Sequence, residues 1–227
     1  MSVPPAPWRS EVDAVLWCHR ATRDARTRLP PALAGRAALP VTIGGLISYR
    51  DGPVGPYREV FGAPVLLRGG VTLTHVAFMA VDSAPSVAGG RANWALPKEL
   101  ARFEGDAGQP GRVTARGDGW AVAVTARARG RALPAYARFA CAQVWPDGAV
   151  REFAVCMRGR AWAGWVELEH ERPAEPPAAA PLAGWLAAGR HPAVLVSGAQ
   201  LVTPAARCSL TPSRRAGRRR RRCRARA

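Results

Sequence analysis

The chain has 227 residues, 33 arginines and lysines against 16 acidic residues, a formal charge of +17, and 48% hydrophobic residues. That length allows one domain with a full core, since a fold of this size buries about 70% of its extended-chain surface. No uninterrupted apolar run approaches the roughly 20 residues of a membrane-spanning helix, and the proline-rich start runs straight into Arg9, Glu11 and Asp13, unlike a signal peptide. The expectation is a cytoplasmic protein without membrane contact.

In chain order, short apolar or alternating segments predict strands at Val41–Tyr49, Val60–Leu67 and Val71–Val81, with Asp51-Gly52-Pro53 and Arg68-Gly69-Gly70 as turns between them. A short helix is expected near Lys98–Phe103. Further strands follow at Trp120–Ala128, Ala135–Trp145, Val150–Met157 and Ala161–Leu168, with Pro146-Asp147-Gly148 turning the chain between the middle two. Pro173–Pro181 reads as a linker or surface crossover, Leu182–Ala188 as a second short helix, and Ala193–Val202 as the last strand. Many closely spaced strands, joined by turns instead of helical crossovers, predict an α+β fold. It is predominantly antiparallel β, a curved, barrel-like sheet with few short helices, over residues 1–207.

Residues 208–227 form the tail. From Arg214 onward it carries nine arginines and no acid, so about +8 of the net charge belongs to everything before it. Such a low-complexity segment cannot bury a core, and the expectation is a disordered tail that attracts nucleic acid only non-specifically, through phosphates. Cys18, Cys141, Cys156, Cys208 and Cys223 include no CxxC pair, and the first three lie in apolar segments, which predicts reduced, buried thiols. His19, His75, His170 and His191 are scattered singly, so no metal site is expected. The sequence also lacks GxxxxGK[ST], a GxGxxG after a strand, and GxSxG, which removes support for phosphate-loop, dinucleotide and serine-hydrolase chemistry. No cofactor is expected.

Lys98 is the only lysine; the other 32 basic residues are arginine. Guanidinium stays protonated at physiological pH, so none of those arginines can lose a proton and attack a carbonyl, whereas an amine can. Either Lys98 does that chemistry or it is one stray surface ammonium. Its segment is Gly89-Gly-Arg-Ala-Asn-Trp-Ala-Leu-Pro-Lys-Glu99. A free amine at neutral pH requires depression of the ordinary lysine pKa of about 10.4, and burial against apolar neighbours supplies it. A second segment, Tyr49-Arg-Asp-Gly-Pro-Val-Gly-Pro-Tyr-Arg-Glu59, is a rigid turn that delivers Glu59 to the start of the next strand. There it becomes an acid/base group if enclosed, or a solvated carboxylate if not.

The two segments, in their order and separation, resemble the acetoacetate decarboxylase family. Gly90-Arg91 followed by Pro97-Lys98 resembles that family's glycine-arginine then proline-lysine segment, and Asp51 to Glu59 its glycine-rich turn ending in tyrosine, any residue, glutamate. The resemblance covers Pro7 to about Arg207. It implies a lyase acting on a small keto acid through a Schiff base on Lys98, by decarboxylation or by aldolase- or dehydratase-type chemistry, with Glu59 shuttling protons. It also implies a homo-oligomer. Arg91 either attracts a substrate carboxylate or makes a structural ion pair, and Trp94 and Phe78 either bind substrate or fill the core. Two departures stand out: Glu99 takes the place of the prototype's second lysine, and the prototype's second acid, fifteen positions before the motif glutamate, counts back without gaps to Gly44. They leave a non-catalytic ligand-binding member of the same fold as the alternative.

Overall fold

The computed structural model describes residues 3–23, 25, 29–33, 36–109, 111–171 and 182–208. The arginine-rich tail beyond Cys208 and the expected crossover Pro173–Pro181 lie outside the described residues. Twelve strands are present among those described: β1 (Trp8–Arg20), β2 (Ala37–Asp51), β3 (Tyr57–Arg68), β4 (Val71–Thr74), β5 (Phe78–Val81), β6 (Lys98–Leu100), β7 (Arg102–Glu104), β8 (Arg112–Gly117), β9 (Trp120–Val144), β10 (Val150–Glu171), β11 (Gly189–Thr203) and β12 (Arg207–Cys208). A helix, α1 (Ala84–Trp94), lies between β5 and β6.

The sheet runs in the order β10-β11-β1-β2-β3-β4-β9, and β9 also pairs with β10, so the pairings return on themselves. Nearly all are antiparallel. The exceptions are β5 with β6 and the single bridge Thr74 to Cys141 that joins β4 to β9. Such curvature gives the sheet an inner and an outer face, and the period of two along each strand decides which residues occupy which. On β3, Tyr57, Glu59, Phe61 and Ala63 face inward, whereas Val60 packs outward in a core layer with Trp17, Leu46, Phe78 and Trp120.

Several sequence expectations change. Lys98–Phe103, expected to be helical, forms the two short strands β6 and β7, because Met79 to Val81 offer an edge that Lys98 to Leu100 join. The segments Trp120–Ala128 and Ala135–Trp145 are one 25-residue strand, and Val150–Met157 and Ala161–Leu168 are one of 22 residues. Gly130 and Gly159 lie inside this long hairpin without ending it: the register shifts between Ala161 and Ala163, across from Gly130, and the pairing continues on both sides. Conversely, Val71–Val81 is interrupted at His75–Ala77, although His75 and Ala77 still donate backbone hydrogen bonds to β3 carbonyls. At Leu182–Ala188 only a 3-10 turn over Leu182–Trp185 forms. Strand β1, which the composition of Trp8–Arg20 conceals behind Arg9, Glu11 and Asp13, is central to the sheet.

Two close approaches fix the glycines of β2. A Cβ on Gly44 would stand 2.3 Å from the Trp17 indole, and one on Gly45 would stand 2.1 Å from the Phe61 ring. Asp13 ties three parts of the sheet together: it accepts from the Gly198 backbone N–H at 2.9 Å and from Arg50 Nε at 2.7 Å, and Arg50 also holds Asp106. Burial pushes the Asp13 carboxyl pKa upward, but these donors outweigh it and hold the group below its usual value. Of the cysteines, Cys141 is buried, Cys156 is half-buried, and Cys18, expected to be buried, is exposed, since Trp17 and His19 take the covered face of β1.

Because the Trp17 ring has no room to retreat, Gly44→Ala is expected to destabilise the domain by about 1–3 kcal/mol, the usual cost of overpacking. The midpoint of urea unfolding reads this directly; an unchanged midpoint would mean that Trp17 can move aside.

Candidate active site

Helix α1 is built against its composition. Gly89 and Gly90 each weaken a helix by about 1 kcal/mol relative to alanine, which is why Ala-Pro-Ser-Val-Ala-Gly-Gly-Arg-Ala-Asn-Trp did not read as one. Its ends compensate. The Ser83 side chain caps the N-terminus by accepting from the Ser86 N–H, and at the C-terminus Ala95 takes a left-handed conformation (φ 50°) with its N–H bonded back to the Arg91 carbonyl. Both glycines are needed for close approach. A Cβ at Gly89 would meet the Trp8 indole at 2.4 Å, and one at Gly90 would meet Cδ of Lys98 at 2.6 Å. The helix therefore lies directly over the lysine stem, and Leu96-Pro97 then turns the chain so that Lys98 starts β6 beside Met79.

Lys98 and Glu59 meet inside the sheet. The Lys98 Nζ donates to Glu59 Oε2 at 2.7 Å and to Ser86 Oγ at 2.9 Å, with a longer contact to the Tyr57 hydroxyl at 3.5 Å. Both side chains are 3% exposed, so this is an ion pair removed from water. The Tyr49 hydroxyl donates to the other Glu59 oxygen at 3.3 Å, and the Tyr49 and Tyr57 rings stack with centroids 4.0 Å apart. The Lys98 ammonium also lies 5.0 Å from the Tyr57 ring centroid, a cation–π distance.

These groups form the polar end of a cavity of about 100 Å³, several times the roughly 10–15 Å³ that one water requires. The rest of the lining is mainly apolar and aromatic, including Trp8, Phe61, Met79, Trp94, Phe139 and Phe153. Among the described residues, Lys98 is the only cation in the lining and Glu59 the only carboxylate. Burial pulls the Lys98 pKa down, but the Glu59 carboxylate and the Tyr57 hydroxyl reverse this and raise it above the ordinary lysine value. The expected depression is thus absent. Tyr49 and Tyr57 are held neutral, their pKa values raised chiefly by burial.

The other expected site residues divide. Trp94 lines the cavity, edge-on to Trp8 at 4.9 Å, with its indole N–H donating to the Pro204 carbonyl. Phe78 does not: it is one residue out of phase with Met79, so it points into the outer core layer, edge-on to Trp120. Arg91 stays at the exposed surface of α1, outside the cavity lining, and its Nε donates to the Lys98 backbone carbonyl at 2.8 Å. It thereby anchors the lysine segment. Glu99 faces away from Lys98 and accepts from the Trp120 indole at 2.9 Å, so the carboxylate that raises the amine's pKa is Glu59. Position 44 is also on the outer face, against Trp17, while Ile47 is the residue of β2 opposite Glu59. The reading of single motifs missed Ser86, Tyr57 and Tyr49. Tyr57 was accessible by parity, two residues before Glu59 on one strand; Ser86 was not, because it comes from the helix that the glycines disguise.

The curved, largely antiparallel sheet defines the class of fold, and comparison with known proteins places the chain in a family. The family model for acetoacetate decarboxylase matches residues 1–139, a span that contains Lys98 and Glu59, and the chain belongs to that family. Among solved structures, it is similar to acetoacetate decarboxylase from Legionella pneumophila subsp. pneumophila str. Philadelphia 1, at 17% identity and a TM-score of 0.63, over 92% of this chain and 90% of that one. It is similar, at 17% identity and a TM-score of 0.63, to the enduracididine biosynthesis enzyme MppR complexed with pyruvate, over 90% of this chain and 91% of the other. An acetoacetate decarboxylase-like enzyme from Sphingomonas wittichii RW1 matches at 16% identity and a TM-score of 0.54, over 91% and 94% of the two chains. No curated protein matches the chain in sequence. Among the described residues, no group of His, Cys, Asp and Glu is placed to hold a metal ion, and no helix is long and apolar enough to cross a membrane.

Removing one member of a buried pair strands the other, so Glu59→Gln is expected to lower stability by about 3–5 kcal/mol in urea unfolding. The pair also sets a pH dependence. Because the folded-state pKa of Lys98 is raised, its stabilisation is complete below the unfolded value of about 10.4 and is lost as pH rises through the folded value. The unfolding midpoint should therefore fall above about pH 10.4. Tyr49 and Tyr57 titrate with the same sign, so Lys98→Met should reduce this slope without abolishing it.

Proposed function

We propose that this protein is an acetoacetate decarboxylase-like lyase that acts on a keto acid through a Schiff base on Lys98, with Glu59 as the proton shuttle. The observation that carries this reading is the 2.7 Å contact between Lys98 Nζ and Glu59 Oε2 at the polar end of an apolar cavity. Pyruvate, a keto acid, is bound in one relative of the same fold.

The steps balance with these two groups, one proton taken up from solvent, and the water that leaves and later re-enters. Lys98 passes a proton to Glu59, and the freed amine attacks the substrate carbonyl carbon to give a carbinolamine. Glu59 returns the proton to the departing hydroxyl, water leaves, and an iminium remains. In a β-keto acid the carboxylate sits on the carbon next to the iminium carbon; that bond breaks, its electrons form the carbon–carbon double bond of an enamine as the iminium nitrogen is neutralised, and carbon dioxide departs. Protonation at carbon and hydrolysis of the imine release the product and restore the amine. Transfer of the proton to Glu59 converts two buried charges into two neutral groups, so a substrate that excludes water from the cavity favours the reactive state. The enamine can instead attack an aldehyde, which gives the aldolase- or dehydratase-type outcome.

The raised Lys98 pKa supports a second reading, a member of the fold that binds a ligand beside a permanently paired ammonium. Borohydride in the presence of a keto acid separates the two. An imine-forming protein gains the reduced substrate's mass on Lys98, and no other side-chain amine exists to confuse the assignment. Since the amine is held protonated, adduct yield should rise from about pH 6 to about pH 9, and Glu59→Gln should reduce it by at least tenfold at the lower end. Modification confined to the α-amino group would sink the Schiff-base reading.

A further inference from the structure

We propose that the substrate carries an apolar chain, and that this chain occupies a groove continuous with the cavity along the inner face of β9, β10, β11 and β1. The proposal rests on the Schiff-base reading for the head of the substrate and on separate observations for its tail.

Beside the cavity lies a second depression of about 340 Å³ that shares Leu16, Ile43, Phe139 and Met157 with it. The period-two stripes of two strands run without interruption from one to the other. On β9 the stripe reads Cys141 and Phe139 in the cavity wall, then Ala137 and Ala135 in the groove; on β10 it reads Phe153, Val155 and Met157, then Gly159 and Ala161. Side chains thus shrink outward from the cavity, and the space they leave is the groove.

Strand pairing explains why the groove is open. Strand β8 pairs with β9 only as far as Thr125, and β4 pairs with it only at Cys141. Between these points β9 pairs with β10 alone among the described residues, so the wall has a gap in its strand pairing through which a chain can pass. The groove is lined by apolar side chains and Cys18, without a charged group, and Val194 at its margin is 45% exposed. Its chemistry fits a hydrocarbon and offers nothing to a carboxylate, a phosphate or a sugar. With Lys98 and Glu59 in the cavity and no charged group among the described residues of the groove, the occupant that fits both is a ketone or keto acid with an unbranched alkyl tail.

The test is equilibrium binding of straight-chain 2-alkanones, butanone to decanone, read by the fluorescence of the cavity tryptophans and by calorimetry. Affinity is expected to rise about fourfold per added methylene, the usual yield of burying one, until the groove is filled. Ala137→Trp and, as an independent variant, Ala161→Leu should flatten the series while leaving butanone binding unchanged, with unfolding midpoints measured on both to establish that they fold. Affinity that does not change with chain length, or a rising series untouched by both variants, would overturn the proposal. Borohydride trapping of butanone on the same samples keeps the two readings apart. An adduct on Lys98 with a flat series removes the groove alone, and a rising series without an adduct supports the groove while removing the imine.

Discussion

An ammonium and a carboxylate held together out of water are the constraint to which the rest of the site answers. Each group alone would cost several kcal/mol to bury, and the cavity lining provides no other ion to offset either. The surrounding polar atoms are therefore few and specific. The Ser86 and Tyr57 hydroxyls accept from the Lys98 ammonium, and the Tyr49 hydroxyl donates to the far oxygen of Glu59. Three elements converge on this point: the β2–β3 hairpin brings Tyr49, Tyr57 and Glu59, α1 brings Ser86, and β6 brings the lysine. The glycines of α1 are where they are because the helix must come within van der Waals contact of the lysine stem and of Trp8.

Strand parity does the sorting. Lys98 and Glu99 are adjacent in sequence yet belong to different environments, one in the cavity and the other hydrogen-bonded to Trp120 in the outer layer. Met79 and Phe78 are divided in the same way, as are Glu59 and Val60. This is why a substitution that looks severe in a linear comparison, glutamate in place of a second lysine, has no direct electrostatic effect on the amine. It also explains Gly44: an ungapped count from Glu59 lands on the wrong face, because the register sets Ile47 opposite Glu59.

Much of the architecture was legible. Alternation in Trp120–Ala128 and Ala135–Trp145, and the Pro-Asp-Gly turn after them, placed strands correctly because those features reflect local burial and local backbone preference. What was misread has a common cause in tertiary support. The hairpin of β9 and β10 runs through its glycines because each strand is hydrogen-bonded to the other along its length. Strand β1 carries charged residues, yet it is central because Asp13 is satisfied by Arg50 and Gly198 from neighbouring strands. Helix α1 forms despite two glycines because its caps and its contacts with Trp8 and Lys98 outweigh their cost.

The sequence by itself determined the class of fold, the solitary amine, and the turn that carries its carboxylate, since these depend on residue chemistry and short-range periodicity. Only the tertiary structure decided the charge state of that amine and the boundaries of its cavity. A pKa is set by what lies within a few ångströms regardless of distance along the chain, and residues 39 positions apart in Lys98 and Glu59 acquire their joint chemistry only when β3 and β6 are folded against the same interior.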